Sequence, residues 1–380
     1  MHCSRQLRRY KMSKTNQPRV SMESVHLHNL FGFVNPIKGF EEAIQIPLET
    51  SPFVPDINPE YIFDPDMVGR VMRSYASREN MMFNGEKGTG KTTFVQQFCA
   101  RLKIPLMSIT GGPGLDEVYL MGSKTIENGS VKSVDGVLSY CLRHGINILI
   151  DEIAAIKPSV LVSINDVLNG DQVITLKHHG LDPAVTPDEL AKADGSMTIK
   201  RHRRFRLFAT DNTGGKMGRD PRFSGVNTQN SAVRSRFTCF KAAFMHPSFE
   251  LKALIGSTNG ALPRDIGKMM IELAIRIRAS FELGEMSDTC SFRELQRWAR
   301  KSLVYGDPHP TDVNLRIPNC DKAFVDAIYT GMEETDQDVA RQFYELVFGS
   351  AIELPNEYAL TAGTFLEELG DSTLNWDLAA

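Results

Sequence analysis

Eight consecutive residues carry the densest chemistry in the sequence: Gly85, Glu86, Lys87, Gly88, Thr89, Gly90, Lys91 and Thr92. They fit the pattern GxxxxGK[ST] at each fixed position, with a short apolar run before them and a helix-forming run after. Glycines let the backbone curl so that successive N–H groups point inward, where they hold phosphate oxygens. The start of the following helix adds partial positive charge at the same place. In that geometry Lys91 reaches the β- and γ-phosphates of a nucleoside triphosphate. The Thr92 hydroxyl ligates Mg2+, and Thr93 completes the cradle.

A second group of acidic and polar residues lies further along. The run Ile146-Asn147-Ile148-Leu149-Ile150 is continuously apolar apart from one residue and ends in Asp151-Glu152. A buried parallel strand delivers its last residues to the crevice where ligands bind. Asp151 is therefore expected in the Mg2+ shell, and Glu152 is expected to orient or deprotonate an attacking water. Consecutive strand residues face opposite ways, so two carboxylates can hold two different jobs. Asn212, at the end of Phe205-Arg206-Leu207-Phe208-Ala209-Thr210-Asp211-Asn212, is a third polar group at a strand end. Its amide is placed to bridge the water and the γ-phosphate.

The elements that must position these residues alternate. Helical spacing covers the stretch opened by Asp64-Pro65-Asp66, then 92–102 and 137–145, the last stopping at Gly145. Strands are expected at 81–84, 104–109, 146–150 and 205–210. Continuous apolar strands alternating with helices imply a parallel sheet covered on both faces, an α/β domain. From about residue 248 strand signals fade. Amphipathic helices take over at 265–282, 291–303 and 336–349. The expected organisation is a tail over 1–22, an extended segment packed on the core over 23–60, and a nucleotide-binding domain over 61–247. A helical domain over 248–350 and a tail over 351–380 complete it.

The order of these motifs resembles the AAA+ ATPases. Several segments are similar to the CobS-like and MoxR ATPases in particular: residues 63–105 around the phosphate loop, 121–152, FRLFATDNTGG at 205–215 and RQFYELVFG at 341–349. The resemblance implies ATP with Mg2+, an AAA+ domain followed by a helical lid, and a homo-oligomeric, hexameric ring. It matches Asn212 to the sensor-1 position. It matches Arg236, in AVRSRF, to the arginine that reaches a neighbour's γ-phosphate, although Arg234 competes for that role. Arg293, in SFREL, matches the sensor-2 arginine of the lid. Residues 121–136 match a β-hairpin insert, whose Asn128-Gly129 is also a hairpin turn signal in its own right. The CobS-like group works with partners carrying a von Willebrand A domain. The chain departs from the pattern at Ser235, at Asp211 and in extra sequence between 177 and 204. Within that extra sequence Thr186-Pro187-Asp188-Glu189 reads as a helix start on a hairpin tip.

Composition sets the remaining bounds. The 380 residues are 42% hydrophobic and 23% charged with a formal net charge of −3, which excludes a polycation binding nucleic acid along its whole length. A local patch is the alternative: Lys200-Arg201-His202-Arg203-Arg204-Phe205-Arg206, facing Lys177-His178-His179 across the inserted hairpin, suits a nucleic-acid motor. Its other reading is a solvated hairpin stem, which the nearby acidic residues favour. The six cysteines are scattered without metal-ligand spacing, as in a cytoplasmic protein with free thiols. No apolar run approaches the length that spans a membrane.

Overall fold

The computed structural model describes residues 21–127, 130–179, 186, 188, 197–212, 231–312 and 316–352. The chain divides into two compact units, Met1–Phe244 and Met245–Ala380.

In the first unit, β1 (Met22–Val25) pairs antiparallel with β2 (Ile44–Pro47), which draws Leu27, Phe31 and Ile46 into a buried cluster. Helix α1 (Pro65–Ala76) starts with proline at its first position and with the Asp64 side chain accepting from the Asp66 N–H at 3.1 Å. Strand β3 (Met81–Asn84) runs through the phosphate loop into α2 (Lys91–Arg101). Then come β4 (Leu106–Thr110), the antiparallel hairpin β5 (Gly122–Glu127) and β6 (Ser130–Asp135), α3 (Val137–His144) and β7 (Asn147–Asp151). A second antiparallel pair, β8 (Val173–Thr175) and β9 (Thr198–Lys200), precedes β10 (Leu207–Asp211) and β11 (Thr238–Lys241). The hairpin turn at Asn128-Gly129 and most of the 180–196 insertion, including Pro187 and Glu189 of its expected helix start, lie outside the described residues.

The central sheet has the order β11-β3-β10-β7-β4 and every neighbour pair is parallel. Alternation along each strand feeds two separate cores. Met82, Ile148, Ile150, Leu207 and Ala209 face one, with α3 and the segment 153–176. Met81, Phe83, Leu149, Phe208 and Phe240 face the other, with α1 and α2. That is why these strands read as unbroken apolar runs: both faces are covered. Three strands, β4, β7 and β10, start later than the sequence suggests. Ile104 and Ile146 donate their N–H groups to Cys99 O (2.8 Å) and Cys141 O (3.2 Å), closing the preceding helices instead of joining the sheet.

The second unit is helical: α4 (Pro247–Gly256), α5 (Arg264–Leu283), α6 (Phe292–Val304), α7 (Cys320–Ala327) and α8 (Glu334–Phe348). Its core centres on Trp298, Phe324 and Tyr344, with the Trp298 indole N–H donating to Cys320 O at 2.9 Å. A buried Arg278 pairs in a fork with Glu250, at 2.9 and 2.7 Å, and donates a third bond to Cys290 O at 2.7 Å. No described helix is long and apolar enough to cross a membrane.

Candidate functional site

Parallel register brings the strand ends level. Asp211 lies opposite Asn84, and Asp151 opposite Thr110. The phosphate loop leaves β3 at Gly85, whose N–H donates to Asp211 O at 3.2 Å. Gly90 caps α2 with φ 80, a left-handed conformation that a side chain disfavours. Thr89 donates its hydroxyl to Glu86 O at 2.9 Å, closing the loop on itself, while Lys87 points to solvent. Gly88 lies between them, also left-handed. Thr92 and Thr93 occupy the first turn of α2.

Lys91 is 6% exposed and donates to two backbone carbonyls, Gly85 O and Glu86 O, each at 2.8 Å. Burial pushes its ammonium down to about 8, against the opposing pull of Asp151, Glu86, Asp211 and Glu152. The ammonium makes its hydrogen bonds to backbone carbonyls while the carboxylates act on it through space, and a bound polyphosphate would offer direct anionic partners.

The carboxylates come from β7. Thr92 donates its hydroxyl to Asp151 Oδ1 at 2.7 Å, so the two oxygen ligands expected for Mg2+ are already adjacent. Thr210 donates its hydroxyl to the same Asp151 oxygen and accepts the Glu152 N–H at 2.9 Å. One side chain therefore ties both carboxylate residues to β10. Glu152 sits just past the strand at φ 56, ψ 49, a region that costs a non-glycine residue roughly 1–3 kcal/mol. Its side chain accepts from the Asn212 amide, Nδ2 to Oε1, at 3.1 Å. Gly111 makes room beside it: its N–H donates to Asp151 O at 2.6 Å, and a Cβ there would come within 2.4 Å of Glu152 O.

Lys91, Thr92, Asp151, Glu152 and Asn212 are thus brought together at the carboxyl ends of the central strands β3, β10 and β7. The donor set fits a nucleoside triphosphate and its divalent cation: inward amides and an ammonium for phosphate, a hydroxyl and a carboxylate for Mg2+. When bound, the cation would supply charge neutralisation for the phosphates. Thr210 and Gly111 were not singled out from the sequence. Both lie at or just past the end of an apolar strand, but their roles depend on register.

Arg236 lies elsewhere. It precedes β11, whose first residue Thr238 pairs with Met81, the start of β3. The phosphate loop leaves from the other end of β3, so roughly 10 Å of strand separates the two levels. Arg236 donates from Nε to Asn169 Oδ1 at 2.6 Å, and Phe237 beside it is buried in the core. Arg234 ends the short helix Ser231–Arg234, where its carbonyl accepts the Phe237 N–H at 3.0 Å. Arg293 belongs to the second unit. It is exposed on the first turn of α6, behind a capping box in which Ser291 and Glu294 satisfy each other's backbone N–H groups.

The basic segment does not form the facing patch expected of it. The ladder pairs Val173 with Lys200 and Thr175 with Thr198, so 177–179 and 201–206 continue from opposite ends of the stem. Arg206 is buried and donates to Tyr75 O, Arg203 O and Phe205 O; Arg201 donates to Val167 O and Asn80 Oδ1. Lys177 reaches Ser163 O and His179 is buried. Lys177, Arg201 and Arg206 thus hold backbone carbonyls rather than face a polyanion.

The five-stranded parallel sheet, the phosphate loop and the two carboxylates at the end of β7 define an ATP-hydrolysing P-loop protein of the AAA+ class. Residues 80–237 match the AAA domain of the dynein-related subfamily. The chain carries that domain, and the relatives it resembles are AAA+ ATPases of the MoxR type. The aerobic cobaltochelatase subunit CobS of Sinorhizobium sp is 26% identical over 284 residues, covering 72% of this chain and 81% of that protein. NorQ of Paracoccus denitrificans is 24% identical over 221 residues, 58% of this chain and 72% of its own length. CbbQ of Hydrogenophilus thermoluteolus is 22% identical over 213 residues, 56% and 70%. Two structures of Thermotoga maritima RuvB variants align at TM-scores of 0.42 and 0.43 with 13% and 14% identity, covering 80% and 84% of this chain and 82% and 88% of theirs.

Proposed function

We propose that the chain is a subunit of a homo-oligomeric, hexameric ring that hydrolyses ATP with Mg2+ to remodel or activate a partner protein. The observation that carries this reading is the linked set Thr92–Asp151–Thr210–Glu152–Asn212, in which each side chain is held by its neighbour. Lys91 and the loop amides bind the phosphates; Thr92 and Asp151 bind the cation. Glu152 takes the proton of the attacking water, and Asn212 keeps its carboxylate in place. Arg236, at the opposite end of the sheet from its own phosphate loop, serves the site of an adjacent subunit, where a guanidinium stabilises the charge that develops on the γ-phosphoryl group. Such a contact is heterologous, and closing it makes a ring. Arg293 contributes from the lid.

The likeness to CobS, named as a cobaltochelatase subunit, suggests a partner with a von Willebrand A domain and a place in the cytoplasm. A nucleic-acid motor is the weaker alternative, because Arg201 and Arg206 of the 200–206 segment are engaged with backbone carbonyls. The test is particle mass by light scattering with and without Mg2+-ATP, on the natural chain and on Glu152→Gln. Glu152→Gln should bind ATP, fail to hydrolyse it and form a stable ring of about six subunits, since fingers supplied in trans require closure. A monomer in every condition, or turnover by Glu152→Gln at the natural rate, would overturn the reading.

A further inference from the structure

The contact between Arg236 and Asn169 joins two residues far apart in sequence and uses a specific atom of the guanidinium. Arg236 donates from Nε. The guanidinium is planar, so a bond from Nε to a fixed acceptor sets the plane in which its other N–H donors lie. A long, rotatable side chain otherwise loses much conformational freedom when it engages a ligand.

Asn169 is well placed to hold it. It ends the short helix Asn165–Asn169, which Gly170 closes at φ 83. The two residues before it, Val167 and Leu168, are buried in the core. Their carbonyls are pinned from outside the helix: Arg201 donates to Val167 O and the Asn80 amide donates to Leu168 O, each at 2.8 Å. Arg201 also donates to Asn80 Oδ1 at 3.1 Å, which ties the two anchors together. Phe237, seated in the same core, fixes the backbone on the Arg236 side.

We infer that Asn169 is a positioning residue for Arg236, orienting the guanidinium for an adjacent subunit's nucleotide. The inference rests on the reading of Arg236 as the residue supplied in trans. Because Arg201 directly follows β9, the platform under Asn169 is continuous with the base of the β8–β9 hairpin.

The experiment uses the full chain assembled with Mg2+-ATP and measures steady-state ATP hydrolysis for Asn169→Ala, Asn169→Asp and Arg236→Ala, each alone and mixed with Glu152→Gln subunits. Asn169→Ala should lower kcat about tenfold, the worth of one hydrogen bond to a charged group, with KM for ATP nearly unchanged. Asn169→Asp keeps the acceptor oxygen and should recover most of the rate. Glu152→Gln subunits carry intact Asn169 and Arg236, so mixing them in should raise the rate per Asn169→Ala subunit, as it should for Arg236→Ala. If Arg236→Ala is complemented but Asn169→Ala keeps full activity, or is slowed and not complemented, the positioning role is overturned and the trans reading stands. If Arg236→Ala retains full activity, or is slowed and not complemented, the trans reading falls and this inference falls with it.

Discussion

Two of the buried cations, one taken from each unit, have different surroundings. Arg278 in the helical unit meets a carboxylate in a two-bond fork and a carbonyl besides, with 7% and 1% of the Arg278 and Glu250 side chains exposed. Lys91 in the sheet unit is as deeply placed, yet its ammonium rests on two backbone carbonyls and its pKa falls to about 8. The first pair is architecture: each charge is satisfied, and removing one strands the other. Under the proposed function the second is a binding group, its desolvation only partly offset by nearby carboxylates until an anion arrives. On that reading, the partners of a buried cation distinguish a group that holds the fold from one that waits for a ligand.

The comparison can be broken most directly by replacing each cation with methionine. Lys91→Met should abolish ATP binding and turnover, yet stabilise the ligand-free protein by about 1–3 kcal/mol at pH 7. The sign follows from the lowered pKa. At pH 7, below about 8, the lysine is charged in both folded and unfolded chains, so the full cost of burying it is present. That cost fades as pH rises from about 8 towards the ordinary lysine value, and the advantage of methionine fades with it. Arg278→Met should instead destabilise by about 3–5 kcal/mol by leaving Glu250 buried and unpaired. Thermal or urea unfolding of both variants reads the contrast; a loss of stability in Lys91→Met would refute it.

Smaller changes sharpen the picture inside the site. Thr210→Val keeps the shape but removes the oxygen shared by Asp151 and Glu152, so kcat should fall about ten- to a hundredfold while the protein still binds ATP. A rate within twofold of the natural chain would show that the bridge is dispensable. Lys91 also predicts a pH effect. Above pH 8 the ligand-free lysine is mostly neutral, so binding a polyphosphate must draw a proton back. ATP affinity should weaken about tenfold between pH 7 and pH 9, with proton uptake visible by calorimetry in buffers of different ionisation enthalpy.

The parts of this site that the sequence displays are those fixed by local spacing. The phosphate loop needs its glycines, Lys91 and Thr92 within one turn of chain, so its pattern is complete in eight residues. Asp151 and Glu152 are visible because a two-faced strand must be apolar until it ends. Thr210 is different: its meaning comes from the β10–β7 register, which sets Ala209 against Ile150 and so brings the next residue beside Asp151. The Arg236–Asn169 contact likewise spans the two halves of the sheet unit. Misplacing 177–179 opposite 200–206 has the same origin, since composition reveals a hairpin but not which residues pair across it. The late starts of β4 and β7 show a local competition, in which apolar residues suited to strands are taken up in closing helices.

The left-handed turn at Glu152 has a practical consequence. Its amide proton is held by a side-chain hydroxyl from another strand, outside the regular ladder of the sheet. Hydrogen exchange at that single position therefore reports on the assembly of the active corner separately from the stability of the strands beneath it. In Thr210→Val the Glu152 amide should lose its protection while Ile148, whose N–H donates to Arg206 O, keeps its own. That amide is a built-in spectroscopic label at the corner where the proposed chemistry would take place.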